Sequence, residues 1–385
     1  MSRGWCAKNG EWDGEAATWK NYNARPKEKS ALFARENGTG PFKLASWEPS
    51  AKKLRLSRFE GYWAGPAKIQ TAIIQTVNEF GTRRLLLEAG DADIIDVPRP
   101  FASQLAGLEG VALHYNLPRL ETDPVFFFTF KINSAANPDV GSGSLDGNGI
   151  PPDFFSDPDV RKGFAYSFNY DRFLAESLGG KAARASGPVP PGLAGHVSTP
   201  KYDYNPQKAA GHFKKALGGK VWEKGFRFTM TFNTGSEVRQ LACEILKKNV
   251  EALNPRFRIN LRGIDWPSFL ERAQTGKMPL FARGWTADYP DAHNFAFPFL
   301  HSQGRYPTAQ SYKNPALDSL IEKAAAETDP AKRLSFYEEI QKLAYADAPQ
   351  IYTVHPLGLY ALRGWLKGFC DNPVFMGIYL YPLSK

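Results

Sequence analysis

The stretch FRFTMTFNTGSEVRQLACEILKKNVEALNPRFRINLRGIDWPSFLERAQTGKMPLFARGW, residues 226–285, decides the fold class. Phe226 to Phe232 alternates apolar and polar residues, as a strand should. Glu237 to Leu253 reads as a helix, Arg256 to Arg262 as a second strand, Trp266 to Thr275 as a second helix and Leu280 to Trp285 as a third strand. Asp265 stands where a helix N-cap belongs, with Trp266 as its apolar anchor. Strand and helix in alternation imply an α/β sheet flanked by helices.

Upstream, Val125 to Ile132 (VFFFTFKI) is so uniformly apolar that it predicts a strand buried on both faces. Asp157-Pro158-Asp159 caps a helix over Val160 to Leu178 with a break near Asp171, and Gln207 to Leu217 is another helix. Lys53 to Phe59, Lys68 to Val77, Ile94 to Val97 and Val111 to Tyr115 read as strands, with a helix at Thr82 to Ala89. Downstream, the helices Pro315 to Glu327 and Pro330 to Tyr345 each open on a first-turn proline. Ile351 to Val354 and Leu359 to Leu362 close the series as strands. Ala135 to Pro152, rich in Gly, Ser, Asn and Pro, predicts a mobile surface loop. Arg161 and Arg172 are expected at the surface in ion pairs.

A length of 385 residues calls for two or three domains, and 43% hydrophobic with 23% charged residues is a globular composition. The net charge of +9 is scattered among Trp, Gly and acidic residues. That distribution suits a solvated surface and argues against a nucleic-acid track. No apolar run reaches the roughly 18 residues of a membrane-spanning helix. Cys6, Cys243 and Cys370 form no CxxC pair and are odd in number, so neither a zinc framework nor a disulfide scaffold is expected, though one long-range disulfide stays open. The start, MSRGWCAKNGEWDGE, has no apolar stretch before Cys6 and is expected to be neither a signal peptide nor a lipoprotein anchor.

Signals of catalysis are missing from the sequence. There is no HExxH and no GxSxG; Gly38-Thr39-Gly40 lacks the third glycine of a dinucleotide site, and the glycines at 141, 143, 147 and 149 lack a GK[ST] ending. Asp153, Asp157 and Asp159 lack the spacing of a calcium loop. One cluster does carry chemistry: Trp285-Thr286-Ala287-Asp288-Tyr289-Pro290-Asp291-Ala292-His293-Asn294. Here an apolar strand ends in aromatic rings and carboxylates, and such strand ends face crevices in α/β sheets. A carboxylate framed by rings suits a ligand's ammonium group. On the pattern alone, an aromatic-capped turn with Asp288 satisfying backbone amides remains an equal reading.

Several short stretches in a fixed order carry a resemblance. They are Gly38-Thr39-Gly40-Pro41-Phe42-Lys43-Leu44 with Trp47, Tyr62-Trp63, and Leu87 to Asp96. Asp157 to Arg172, Gly187 to Gly192 and Tyr204 to Ala209 follow, then Trp285 to Asn294. The last are Tyr312 to Asp318, Ala348 to Tyr352 and Val354-His355-Pro356. Together they cover residues 38 to 370, and the chain resembles the extracellular solute-binding proteins of ABC peptide importers (family 5), which include dipeptide, oligopeptide, nickel, haem and oligosaccharide binders.

The resemblance implies an α/β two-lobed periplasmic-binding-protein-like clamp (type II, cluster C), here lacking part of domain I and the small domain II. It places residues 1–39 as a remnant of the N-terminal region, 40–120 with 355–385 as partial domain I, and 121–354 as domain III. It implies a receptor that binds a peptide between its lobes and delivers it to a membrane permease, acting as a monomer in the periplasm or outside the cell. No enzyme activity, metal, cofactor or nucleic acid is expected. By the resemblance Asp288 receives the peptide's ammonium, Trp285 and Tyr289 line side-chain pockets, and Asn294 supports the loop. Arg283 stands one place from the arginine that pairs with a ligand carboxylate in some members. Counted along a regular strand, that offset turns it to the other face. The alternatives are an oligosaccharide or other solute in the same fold, or a hydrolase using Asp288 and Asp291.

Overall fold

The computed structural model describes residues 2–23, 25–179, 181–375 and 377–385. Among them the strands are, in chain order, β1 (Phe42–Glu48), β2 (Lys53–Arg58), β3 (Thr71–Gln75), β4 (Ile94–Asp96), β5 (Val111–Leu117), β6 (Glu121–Phe128), β7 (Ala183–Arg184), β8 (Phe226–Asn233), β9 (Phe257–Ile264), β10 (Leu280–Thr286), β11 (Gln350–Tyr352), β12 (Val354–His355) and β13 (Gly358–Arg363). They build a five-stranded sheet ordered β11-β6-β10-β8-β9, two three-stranded sheets, β1-β2-β3 and β4-β13-β5, and the pair β12-β7.

The expected alternation at 226–285 forms the parallel half of the large sheet, where β8 pairs with β9 on one side and β10 on the other. The two connections therefore run in opposite directions across the sheet, and right-handed crossovers set their helices on opposite faces. Helix Glu237–Glu251 buries Ala242, Cys243 and Leu246 in one apolar core, and helix Trp266–Gln274 buries Phe269 and Ala273 in the other. Strand β6 feeds both: Phe126 and Phe128 face the first core, Val125 and Phe127 the second. All four are fully buried, as the apolar run predicts. The strand starts earlier than expected, at Glu121, and ends at Phe128, beyond which the Phe130 amide donates to the Gln310 carbonyl instead of to a neighbouring strand.

Three expectations are corrected. Arg161 is 2% exposed. It is tolerated there because its guanidinium donates to the carbonyls of Phe155, Ser156 and Asp347 at 2.8, 2.9 and 2.7 Å and meets the Asp347 carboxylate at 2.8 Å. Residues 135–152 do not make a loose surface loop. Asp139 is fully buried between Arg262 and Arg272, at 2.7 and 2.5 Å, and Val140 and Ile150 join the core. Gly141 and Gly149 bridge each other so closely that a Cβ on Gly141 would meet the Asn148 carbonyl at 2.1 Å. The break in the helix after Asp157 falls at Phe168–Asn169, where Asn169 caps a second helix, Tyr170–Leu178. Asp157 caps the first helix and Arg172 pairs with Glu176 at the surface, both as expected. Asp265, Asn314 and Asp329 cap theirs.

Two chain passages join the five-stranded sheet to β4-β13-β5: one from β5 into β6, the other from β11 through β12 into β13. The small sheet has its own core of Phe80, Leu87, Ile95, Val97, Leu105, Leu359 and Ala361. Cys6, Cys243 and Cys370 are all free thiols.

Candidate functional site

Strand β10 delivers the predicted residues to its C-terminal end. Ala287, just past it, donates its amide to the Leu120 carbonyl at 2.8 Å, which ties the following loop to the β5–β6 passage. The buried Asn294, in the first turn of helix His293–Leu300, then organises the loop from inside. Its Oδ1 accepts from Trp285 Nε1 at 3.1 Å and from the Asp288 amide at 2.9 Å. One carboxamide oxygen thus fixes both an indole and the turn that carries Asp288.

The two acids of the cluster part company. Asp291 receives a two-bond fork from Arg333, at 2.8 and 3.0 Å, and accepts the His293 amide at 2.8 Å. Partial burial would raise its pKa, but these partners hold the carboxyl below its ordinary range. Asp288 is exposed, and among the described residues its carboxylate has one hydrogen-bond partner, Asn294 Nδ2 at 3.5 Å. Tyr289 beside it is 46% exposed. Trp285 is half-buried and meets Tyr306 edge to face at 5.9 Å.

Arg283 lies deeper, 9% exposed, with its guanidinium 5.0 Å from the Trp266 ring and 5.3 Å from the Tyr306 ring. Among the described residues no carboxylate pairs with it and its Nε has no hydrogen-bond partner. Burial lowers its pKa. The strand is not regular here. Arg283 stands opposite Val125 but Trp285 opposite Thr122, so a register shift intervenes and simple alternation does not carry across Gly284. That glycine is required: a Cβ would sit 2.4 Å from Asp123 Cβ.

Sequence reasoning missed the residues around this arginine. Asp123 is held by Arg239, Nε to Oδ1 at 2.9 Å and Nη2 to Oδ2 at 2.8 Å, and Arg239 also lies over Trp266 at 5.9 Å. Tyr306 donates to the Gly284 carbonyl at 2.5 Å. These side chains come from positions 123, 239, 266 and 306, and no local motif links them. The only advance signal was Trp266, read as a helix anchor.

Among the described residues no group of three or more His, Cys, Asp and Glu side chains gathers as a metal site would require. A recess of about 850 Å³, lined by Trp12, Trp19, Tyr22 and Phe33 among others, shares no lining residue with the β10 cluster.

Comparison with known proteins follows the same lines. The sequence profile described as "Bacterial extracellular solute-binding proteins, family 5 Middle" matches residues 15–307. The chain is 24% identical over 348 residues to the dipeptide-binding protein of Escherichia coli, covering 88% of this chain and 59% of that one. It is 27% identical over 353 residues to a glutathione-binding protein of Pectobacterium atrosepticum, covering 87% and 62%. A dipeptide-binding protein from a Pseudoalteromonas species, solved with Met-Leu, superposes with a TM-score of 0.79 at 18% identity, over 100% of this chain and 69% of that one. The fold is therefore the mixed α/β fold of periplasmic binding proteins. The chain spans about three-fifths of the length of the curated relatives it matches.

Proposed function

Because the chain belongs to the bacterial extracellular solute-binding proteins of family 5, we propose that it binds a peptide between two lobes and hands it to an ABC permease. The family is one of binding proteins. In this reading residues 1–39 are a remnant of the N-terminal region, 40–120 with 355–385 form part of one lobe and 121–354 the other, and the protein acts as a monomer outside the cytoplasm.

One observation carries the peptide reading: charges of both signs lie uncommitted near one strand end. Asp288 is exposed while Asp291 is consumed by Arg333, and Arg283 has no acid partner among the described residues. A free peptide carries an ammonium and a carboxylate, which complement these two side chains. Asp288 receives the ammonium, Arg283 faces the carboxylate, and Trp285 and Tyr289 line the space between. Asn294 positions Trp285 and the Asp288 turn. Main-chain hydrogen bonds to an extended ligand would add affinity indifferent to its side chains. A neutral oligosaccharide offers no partner for either charge. The commitment of Asp291 to Arg333 also removes the second acid that a hydrolase would need.

Removing one partner of a desolvated ammonium–carboxylate pair costs ~2–5 kcal/mol. Asp288→Ala is therefore expected to weaken peptides with a free amine at least tenfold, and their N-acetylated forms far less, by titration calorimetry. Equal losses for both would reject the role of Asp288. Thermal-shift screening against peptides and oligosaccharides tests the solute class, since a ligand at 100 times its Kd adds ~2.7 kcal/mol.

A further inference from the structure

Away from the β10 cluster, every residue lining the recess of about 850 Å³ lies between Arg3 and Phe33. That volume falls within the ~300–1,000 Å³ of small-molecule sites. Helix Arg3–Lys8 supplies Cys6, and the short turns Trp19–Asn21 and Ala31–Phe33 supply Trp19 and Phe33. Trp12 and Tyr22 add two more rings. In the large core, aromatic residues lie on one another, as Phe127 does on Phe281 and Tyr306 at 5.3 and 4.1 Å. Here, among the described residues, none of Trp12, Trp19 and Tyr22 stacks on another ring. They stand around a space instead of against each other, which leaves room for a flat apolar body between them.

Two cations and one carboxylate line the same space. The carboxylate, Glu11, is spent on the chain itself: its oxygens accept from the Ala31 amide and from Ser30 Oγ, the latter at 2.9 Å. Arg3 is exposed and held by Glu15 at 2.8 Å. Arg25 differs. Its guanidinium lies 5.0 Å from the Tyr22 ring and 4.0 Å from Glu11 Oε1, and among the described residues it donates no hydrogen bond. A planar fork of donors whose acid lies beyond hydrogen-bond reach matches an incoming carboxylate. We propose that this recess is a second binding site, for a flat aromatic carboxylate: Trp12, Trp19 and Tyr22 contact its ring system and Arg25 receives its acid group. Neither Asp288 nor Arg283 takes part, so the site stands whether or not the β10 strand end binds a peptide. A neutral analogue gains the ring contacts without the fork, and a cationic one is repelled by Arg25.

Calorimetric titration of the full chain with 2-naphthoate, 2-naphthamide and 2-naphthylmethylamine tests this. The naphthoate should bind about tenfold more tightly than the amide, with the amine weakest. Arg25→Gln should weaken the naphthoate about tenfold and the amide less than about twofold, which erases the preference, and Arg25→Lys should restore part of it. Since Arg25 has no hydrogen bond to lose, both variants should melt as the wild type does. Trp19→Ala should weaken naphthoate and amide alike. The Cys6 thiol lines the recess and Cys370 is exposed, so in a Cys370→Ser chain bound naphthoate should slow alkylation of Cys6 by N-ethylmaleimide. No saturable naphthoate binding up to about 5 mM, equal affinities for the three naphthalenes, or an unchanged preference in Arg25→Gln would overturn the proposal. A thermal screen that yields no peptide would sink the peptide reading and leave the naphthoate result standing.

Discussion

Aromatic and branched apolar residues occur both in the region around the five-stranded sheet and in the small sheet β1-β2-β3 with its preceding segment, yet their environments are opposite. In the first, Phe126, Phe127, Phe128, Phe155 and Phe164 have no exposed surface. In the second, Trp47, Trp63, Ile73 and Ile74 all stand open to solvent, Trp63 at 82%. The chemistry of the side chains is the same; what differs is whether layers cover the sheet. The large sheet has helices on both faces, whereas among the β1-β2-β3 strand residues only Ala72 is buried. Apolar content therefore stabilises in proportion to the surface it removes from water, not to its abundance.

That contrast can be broken most sharply in the core. Phe155 packs against Phe128, Phe154, Phe164 and Phe228. Phe155→Ala is expected to cost ~3–5 kcal/mol in denaturant unfolding, the range for a buried aromatic replaced by a cavity. A smaller effect is expected at the site. Asn294→Ala leaves the Trp285 indole N–H and the Asp288 amide without their acceptor, at ~1–3 kcal/mol of stability. It should also loosen the loop, so free-amine peptides weaken while the melting curve stays cooperative. The smallest effect belongs to the open region: Trp63→Ala should change stability by less than about 0.5 kcal/mol. A large loss there would mean that the small sheet is covered by something in solution, and the comparison between the two regions would have to be redrawn.

Much of the fold was legible because its signals are local. The strand at 226–232, the acidic caps at Asp157 and Asp265 and the first-turn prolines at 315 and 330 each rest on signals within a few residues, and all recur in the structure, though Thr229 and Thr231 at the strand's polar positions are buried as well. The same holds for the Trp285–Asn294 cluster, whose members the structure joins through Asn294. Residues 135–152 misled because Gly, Ser and Asn signal backbone freedom, while burial there depends on Asp139 meeting Arg262 and Arg272 from over a hundred residues away. Arg161 misled for a related reason. A guanidinium is buried only where enough acceptors converge, and five of its hydrogen bonds go to four backbone carbonyls that no residue identity reveals.

The sequence by itself determined the α/β alternation, the double-sided burial of Val125 to Phe128 and the strand end bearing Asp288, since each depends on neighbours along the chain. Tertiary structure alone decided which charges are free. Among the described residues Asp291 is in an ion pair and Asp288 is not, and Arg239 is in one and Arg283 is not. The physical reason is that a charge's state depends on the groups within a few ångströms of it, and here those groups come from distant parts of the chain.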